Sequence, residues 1–204
     1  MVPFMASVYV LGAIYIMCTF GSHIIPTIES IFIGAFDPTA ATGGVIGASV
    51  KEAIRYGVAR GLFSNEAGMG STPHAHAIAR VKHPVEQGLA AVVGLCIDTF
   101  VVLTATALVI LVTGSLDGTK TGIELTQTAF VKGMGPAGSG FVALCLFFAA
   151  FTTIIGWYFF AVQNVKFIFG YKFVNSFSVI VLCFLMAGSY LKVNLVWELA
   201  DMFN

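Results

Sequence analysis

Gly61-Leu62-Phe63-Ser64-Asn65-Glu66-Ala67-Gly68-Met69-Gly70-Ser71-Thr72-Pro73-His74-Ala75-His76-Ala77 gathers polar side chains into one short stretch between apolar flanks. A dense mixture of Ser, Asn, Glu and Gly suits an unwound segment. Glycine removes the Cβ penalty on left-handed backbone, and unwinding leaves N–H and C=O groups without helical partners. Such groups can bind the carboxylate of an amino acid and a cation. An ordinary capped loop at a membrane surface would use the same residue types and is the competing reading.

The flanks make the surroundings apolar. Of 204 residues, 58% are hydrophobic and 10% charged, with a mean hydropathy of +0.93, whereas a soluble domain carries about 25% charge. This composition describes an integral membrane protein with the lipid bilayer as its solvent. Ten Lys and Arg balance ten Asp and Glu, so no basic surface exists to neutralise a phosphate backbone, and nucleic acid is excluded as a partner. Nineteen Phe and long Val, Leu, Ile and Ala runs exclude intrinsic disorder.

A span of about 20 apolar residues crosses the hydrocarbon core, and runs of that length are too long for barrel strands. The fold class is therefore all-α integral membrane. Residues 1–204 read as a single transmembrane domain of about five membrane elements. These are 3–21, a broken helix within 44–79, then 89–113, 141–165 and 173–191. The stretch from Ser22 to Gly88 is interrupted by Pro26, Pro38, Pro73 and Pro84 and by Lys51, Glu52, Arg55, Arg60 and Glu66. Irregular backbone at membrane depth is tolerated only in protein or beside a water-filled cavity, and in secondary transporters it marks the substrate site. The Lys and Arg bias places Arg80, Lys82, Lys166 and Lys172 in the cytoplasm and leaves Lys120, Lys132 and Lys192 outside. The sidedness of 51–60 stays open.

The run GLFSNEAGMGSTPHAHA resembles the signature of the alanine or glycine:cation symporters, also called the sodium:alanine symporters. Further matches follow in the family's order: GVARG at Gly57 to Gly61, IDT at Ile97 to Thr99, TALVILVTG at Thr106 to Gly114, FTTIIGW at Phe151 to Trp157 and LVWELAD at Leu195 to Asp201. The resemblance implies symport of a small neutral amino acid such as alanine or glycine. The coupling ion would be sodium, with no other cofactor, in a multi-pass protein of the plasma membrane, a bacterial inner membrane. It also implies the inverted-repeat fold of the leucine-transporter or amino acid-polyamine-organocation type, in which the first helix of each half is broken at the midplane.

By that resemblance Phe63 caps the substrate's side chain, while Ser64, Asn65 and backbone near Gly68 and Gly70 contact its α-amino and carboxylate groups. Glu66 orders the break. Trp157 packs against substrate, and Thr152 or Thr153 donates a hydroxyl oxygen to sodium, a hard cation that takes oxygen ligands. Family members are more than twice this length, and these residues resemble the fifth to ninth core helices. The expectation is a missing N-terminal transporter half as partner, and a chain inactive alone. A non-transporting fragment, or a channel-like or structural membrane protein, is the alternative.

Read from the residues alone, the candidates keep plainer explanations. The Thr152 and Thr153 hydroxyls can bond back to their own helix. Asp98 lies inside an apolar span, where a carboxylate is a functional suspect by default, either gating or merely hydrogen-bonding a neighbouring helix. His74 and His76, two apart, point to different sides of a helix and make a poor metal pair. Cys18, Cys96, Cys145 and Cys183 lack CxxC spacing and read as small buried hydrophobes. Nothing pairs a nucleophile with a base, so an enzyme is not expected. Sodium against proton coupling, and which amino acid is carried, stay open.

Overall fold

The computed structural model describes residues 2–36, 46–66, 68–116, 118 and 120–203. Every described element is helical. Three helices are long and apolar enough to cross a membrane, Pro84–Val112, Ala137–Phe169 and Tyr171–Tyr190, and a bent helix pair near the N-terminus would be a fourth. Large apolar side chains stand exposed along them, Phe100 at 73%, Phe167 at 91% and Tyr190 at 87%. In water that surface would drive aggregation. In a bilayer it is the solvated surface, and the chain is a multi-pass integral membrane protein.

The chain divides into two compact units. One comprises residues 1–49 and 89–152, the other 50–88 and 153–204.

The first unit is built on α1 (Val2–Thr19), which turns by 102° at Phe20 into α2 (Gly21–Phe36). Thr19 Oγ1 donates to the Ile16 carbonyl (2.7 Å), and Gly21 follows Phe20. α1 packs against α6 (Thr104–Val112) and α7 (Gly122–Met134). Ala13, Ile16, Ala105, Val109, Ala129, Phe130 and Val142 form the core. Phe130 is fully buried, between the rings of Tyr9 (5.5 Å between centroids) and Phe141 (5.6 Å). Small residues let helices approach where lipid supplies no hydrophobic drive. Gly138, in the first turn of α8 (Ala137–Phe169), sits so close to the Phe130 carbonyl that a Cβ would collide with backbone.

An exposed helical Gly→Ala change stabilises by up to about 1 kcal/mol. At Gly138 the sign is expected to invert, with Gly138→Ala losing about 1–3 kcal/mol through overpacking. Gly140→Ala, two residues on with open space around it, should gain. Thermal unfolding of both variants in one detergent, followed by helical circular dichroism, makes the comparison; equal gains would sink the packing argument.

The second unit holds α3 (Ile46–Ser64) from residue 50 onward, α4 (Thr72–His76), the start of α5 (Pro84–Ile97), the C-terminal half of α8, α9 (Val174–Tyr190) and α10 (Val193–Phe203). Ser178 Oγ donates to the Val174 carbonyl (2.8 Å), so its single hydrogen is spent and Tyr158 Oη donates to Ser178 (2.6 Å), joining α8 to α9. α8 continues to Phe169, four residues beyond the end of the 141–165 span, and Lys166 stands in its last turn.

The cysteines correct the sequence reading. Cys145 is buried, but Cys18, Cys96 and Cys183 are exposed. An apolar run implies burial only in a soluble fold; on a lipid-facing helix the same run is outward surface.

Candidate functional site

α3 ends by tightening. Asn65 N–H donates to the Gly61 carbonyl (3.1 Å) with helical spacing, and Glu66 N–H to Phe63 (3.1 Å) with one residue fewer. Three residues of the next five then take left-handed backbone: Glu66 (φ 51°), Gly68 (φ 79°) and Gly70 (φ 74°). Glycine does this freely, whereas for Glu66 it costs about 1–3 kcal/mol unless its surroundings hold it. They do. The Glu66 carboxylate accepts hydrogen bonds from Ser71 Oγ (2.5 Å) and Thr72 Oγ1 (3.0 Å), so one side chain clamps the departing end of α3 to the start of α4.

α4, only five residues long, is anchored by its two histidines to different places. Asn164 Nδ2 donates to the Phe160 carbonyl (3.1 Å), which turns its Oδ1 toward His74. His74 Nε2–H therefore donates to Asn164 Oδ1 (2.9 Å), and Nδ1 is left buried without a hydrogen-bond partner among the described residues. Gln87 Nε2 donates to His76 Nδ1 (2.7 Å), joining α4 to α5. No cluster of metal-ligating side chains occurs among the described residues.

Phe63 lies in the last turn of α3 and meets the Trp197 ring of α10 edge-on at 5.4 Å, while the Arg60 guanidinium sits 3.9 Å from the centre of the same ring. Trp197 is a site neighbour that spacing could not reveal, being far from Phe63 in sequence. Its one sequence trace is its place in the LVWELAD run. Ser64 and Gly68 are exposed, and Asn65 is partly buried.

On α8, Trp157 is 40% exposed and packs edge-on against Phe160 at 5.9 Å. Thr152 Oγ1 donates to the carbonyls of Phe148 (2.9 Å) and Ala149 (3.0 Å), the back-bonding expected of a helical threonine. Thr153 is exposed. At about 100° per residue, Trp157 and Thr153 both fall within about 20° of Asn164 around the helix, whereas Thr152 lies about 100° away from Thr153. The stripe that carries Asn164 to α4 therefore runs on through Trp157 and Thr153. Asp98 is elsewhere, in the first unit, where it opens a π-helical stretch.

The family model described as "Sodium:alanine symporter family" matches residues 1–204. The chain belongs to the sodium:alanine symporter family. It is 38% identical over 205 residues to an uncharacterized transporter of Haemophilus influenzae, covering 100% of this chain and 45% of that protein. It is 36% identical over 207 residues to the sodium/alanine symporter AgcS of Methanococcus maripaludis, covering 100% of this chain and 45% of that one. To the "Probable sodium/glutamine symporter GlnT" of Bacillus subtilis it is 36% identical over 201 residues, or 98% and 41% of the two. The chain thus spans less than half the length of these relatives. The sodium:alanine symporter family is one of transporters, not enzymes, and its sodium coupling supports sodium as the ion paired with amino acid movement.

Within this family member Glu66 is testable apart from transport. Removing the carboxylate that accepts from Ser71 and Thr72 with Glu66→Ala should free α4, and the backbone amides of 74–76 are expected to exchange with deuterium about tenfold to a hundredfold faster, the loss of one to two hydrogen bonds to a carboxylate. Unchanged exchange at 74–76 would show that the carboxylate does not hold the break.

Proposed function

We propose that this chain carries one half of a sodium-coupled symport site for a small neutral amino acid in a plasma membrane. The chain-break at Glu66, Gly68 and Gly70 is the observation that carries the reading. A helix interrupted by left-handed backbone, inside a chain of this family, supports the broken helix of the second repeat in a leucine-transporter-type fold. In that reading Phe63 covers the substrate's side chain, and Ser64, Asn65 and backbone at Gly68 and Gly70 receive its amino and carboxylate groups. Trp157 forms the facing wall.

The stripe on α8 separates the two threonines. Thr153 shares the face of Trp157 and Asn164, so it is the cation ligand we favour, with Thr152 turned aside and bonded to its own helix. Alanine is the expected substrate. Glutamine, in the name of the Bacillus subtilis relative, is the competitor, and it is larger than the small side chain that this reading places against Phe63.

A chimaera tests the assignment, with these 204 residues replacing the matching segment of the Methanococcus maripaludis relative. Radiolabelled alanine uptake into proteoliposomes should follow an inward sodium gradient and be competed by glycine but not by glutamine. Uptake that follows a proton gradient in sodium-free medium would overturn the ion, and equal competition by glutamine would overturn the small pocket.

A further inference from the structure

α10 reaches the end of α3 through an indole. The Trp197 ring meets Phe63 edge-on, 5.4 Å between centroids with 70° between planes, and carries the Arg60 guanidinium 3.9 Å over its centre. Arg60 and Phe63 are three apart and so lie on one helical face, and both side chains lean toward the N-terminus of α3. One ring from a distant part of the sequence therefore engages both. A guanidinium within about 6 Å of a tryptophan centroid is attracted to the negative face of the ring, so Trp197 is itself braced. All three residues belong to the second unit.

Phe63 stands in the last turn of α3. Glu66, three residues on, has left-handed backbone and gives its carboxylate to Ser71 and Thr72, so it is Trp197 of α10 that packs on the ring. A helical phenylalanine has two usable χ1 wells, at about 180° and about −60°, and a contact made in one is lost in the other. The edge-on pair with Trp197 therefore favours the well that Phe63 occupies by about threefold to tenfold, the worth of one aromatic pair.

We propose that Trp197 is a positioning residue that sets substrate size: by holding Phe63 over the substrate's side chain, it makes the site favour alanine over larger amino acids. The proposal rests on the reading that Phe63 covers that side chain. With the ring in its held well, the space beyond a methyl group is closed, and a longer side chain needs the ring in the other well. Loss of the indole moves population from the first well to the second, so small and larger substrates respond in opposite directions. A role limited to docking α10 would weaken every substrate together.

Alanine uptake by the chimaera in proteoliposomes at saturating sodium, titrated with 2-aminobutyrate, tests the proposal; the competitor's side chain is one methylene longer than alanine's. Trp197→Ala is expected to raise the KM for alanine by no more than about threefold while lowering the inhibition constant of 2-aminobutyrate. The ratio of the two should change by about threefold to tenfold. Trp197→Phe keeps an aromatic edge and should leave the ratio within about twofold of the parent. Trp197→Leu keeps apolar bulk, guards against a misfolded alanine variant, and should shift the ratio in the same direction as Trp197→Ala. Phe63→Ala should move the ratio by about tenfold, and adding Trp197→Ala to it should change nothing further. An unchanged ratio in Trp197→Leu, equal weakening of both substrates, or additive shifts in the double variant would overturn the proposal and leave the reading of Phe63 standing. A ratio that Phe63→Ala does not move would overturn that reading itself.

Discussion

Purified and reconstituted alone, the 204 residues are expected to show no sodium-driven alanine uptake above empty liposomes, while the chimaera completed by the relative's other segments takes up alanine. This is the largest effect the proposed reading makes, a loss of all signal. In an inverted-repeat transporter the substrate lies between two broken helices, one from each repeat, and the chain covers 45% of the Methanococcus maripaludis relative. A carboxylate bound at Gly68 and Gly70 would then lack the groups facing it from the other repeat. Binding sites of this kind do not degrade in proportion, because unpaired charges left in an apolar setting cost more than the surviving contacts return. Gradient-dependent accumulation by the chain alone, abolished by a sodium ionophore, would show that a complete path exists within these residues.

Thr153→Ala in the chimaera is expected to raise the sodium concentration for half-maximal uptake about tenfold to a hundredfold, the equivalent of about 1–3 kcal/mol for a lost oxygen ligand in a dry site. Thr152→Ala should change it less than about threefold, since that hydroxyl points about 100° away and is bonded to Phe148 and Ala149. Linkage mixes the readouts, because weaker sodium binding also lowers apparent alanine affinity. Alanine binding at saturating sodium separates them. There Thr153→Ala should recover the parent affinity, whereas Trp157→Ala should remain weakened by about tenfold. A larger sodium shift for Thr152→Ala than for Thr153→Ala would reverse the assignment, and no shift in either would remove both from the cation site.

The break was legible in the sequence because its causes are local. Gly68 and Gly70 permit left-handed backbone wherever they stand, and a Ser-Thr-Pro run after Glu66 offers hydroxyls within reach of that carboxylate. The partners were not legible. Trp197 meets Phe63, and Asn164 meets His74, only after long stretches of chain have folded back, and no period or spacing encodes those meetings. Asp98 could be singled out by the cost of a carboxylate in an apolar span, yet the π-helical stretch it opens left no mark in spacing or composition. That Thr153 and Trp157 share one helical face follows from their spacing of four, whereas the contact of Asn164, on the same stripe, with His74 of α4 is encoded by no spacing. The cysteines misled for a different reason, since hydropathy reports affinity for an apolar medium and does not say whether that medium is protein or lipid.

α8 has 33 residues and is about 50 Å long, against a hydrocarbon layer of about 30 Å. Fitting it wholly inside would take a tilt of about 53°, beyond the 0–40° that spanning helices adopt, so one end must stand clear of the acyl chains. Its C-terminal end is equipped for the headgroup zone: Lys166 reaches over the Tyr171 ring at 5.4 Å, and the Phe169 and Phe173 rings meet at a tilt of 57°, 5.9 Å between centroids. Aromatic rings and lysines of this kind moor a helix at the interface. With that end moored, a thicker or thinner bilayer slides its far boundary along the opposite half of α8. A change in bilayer thickness is thereby taken up at one end of the helix and not at the other.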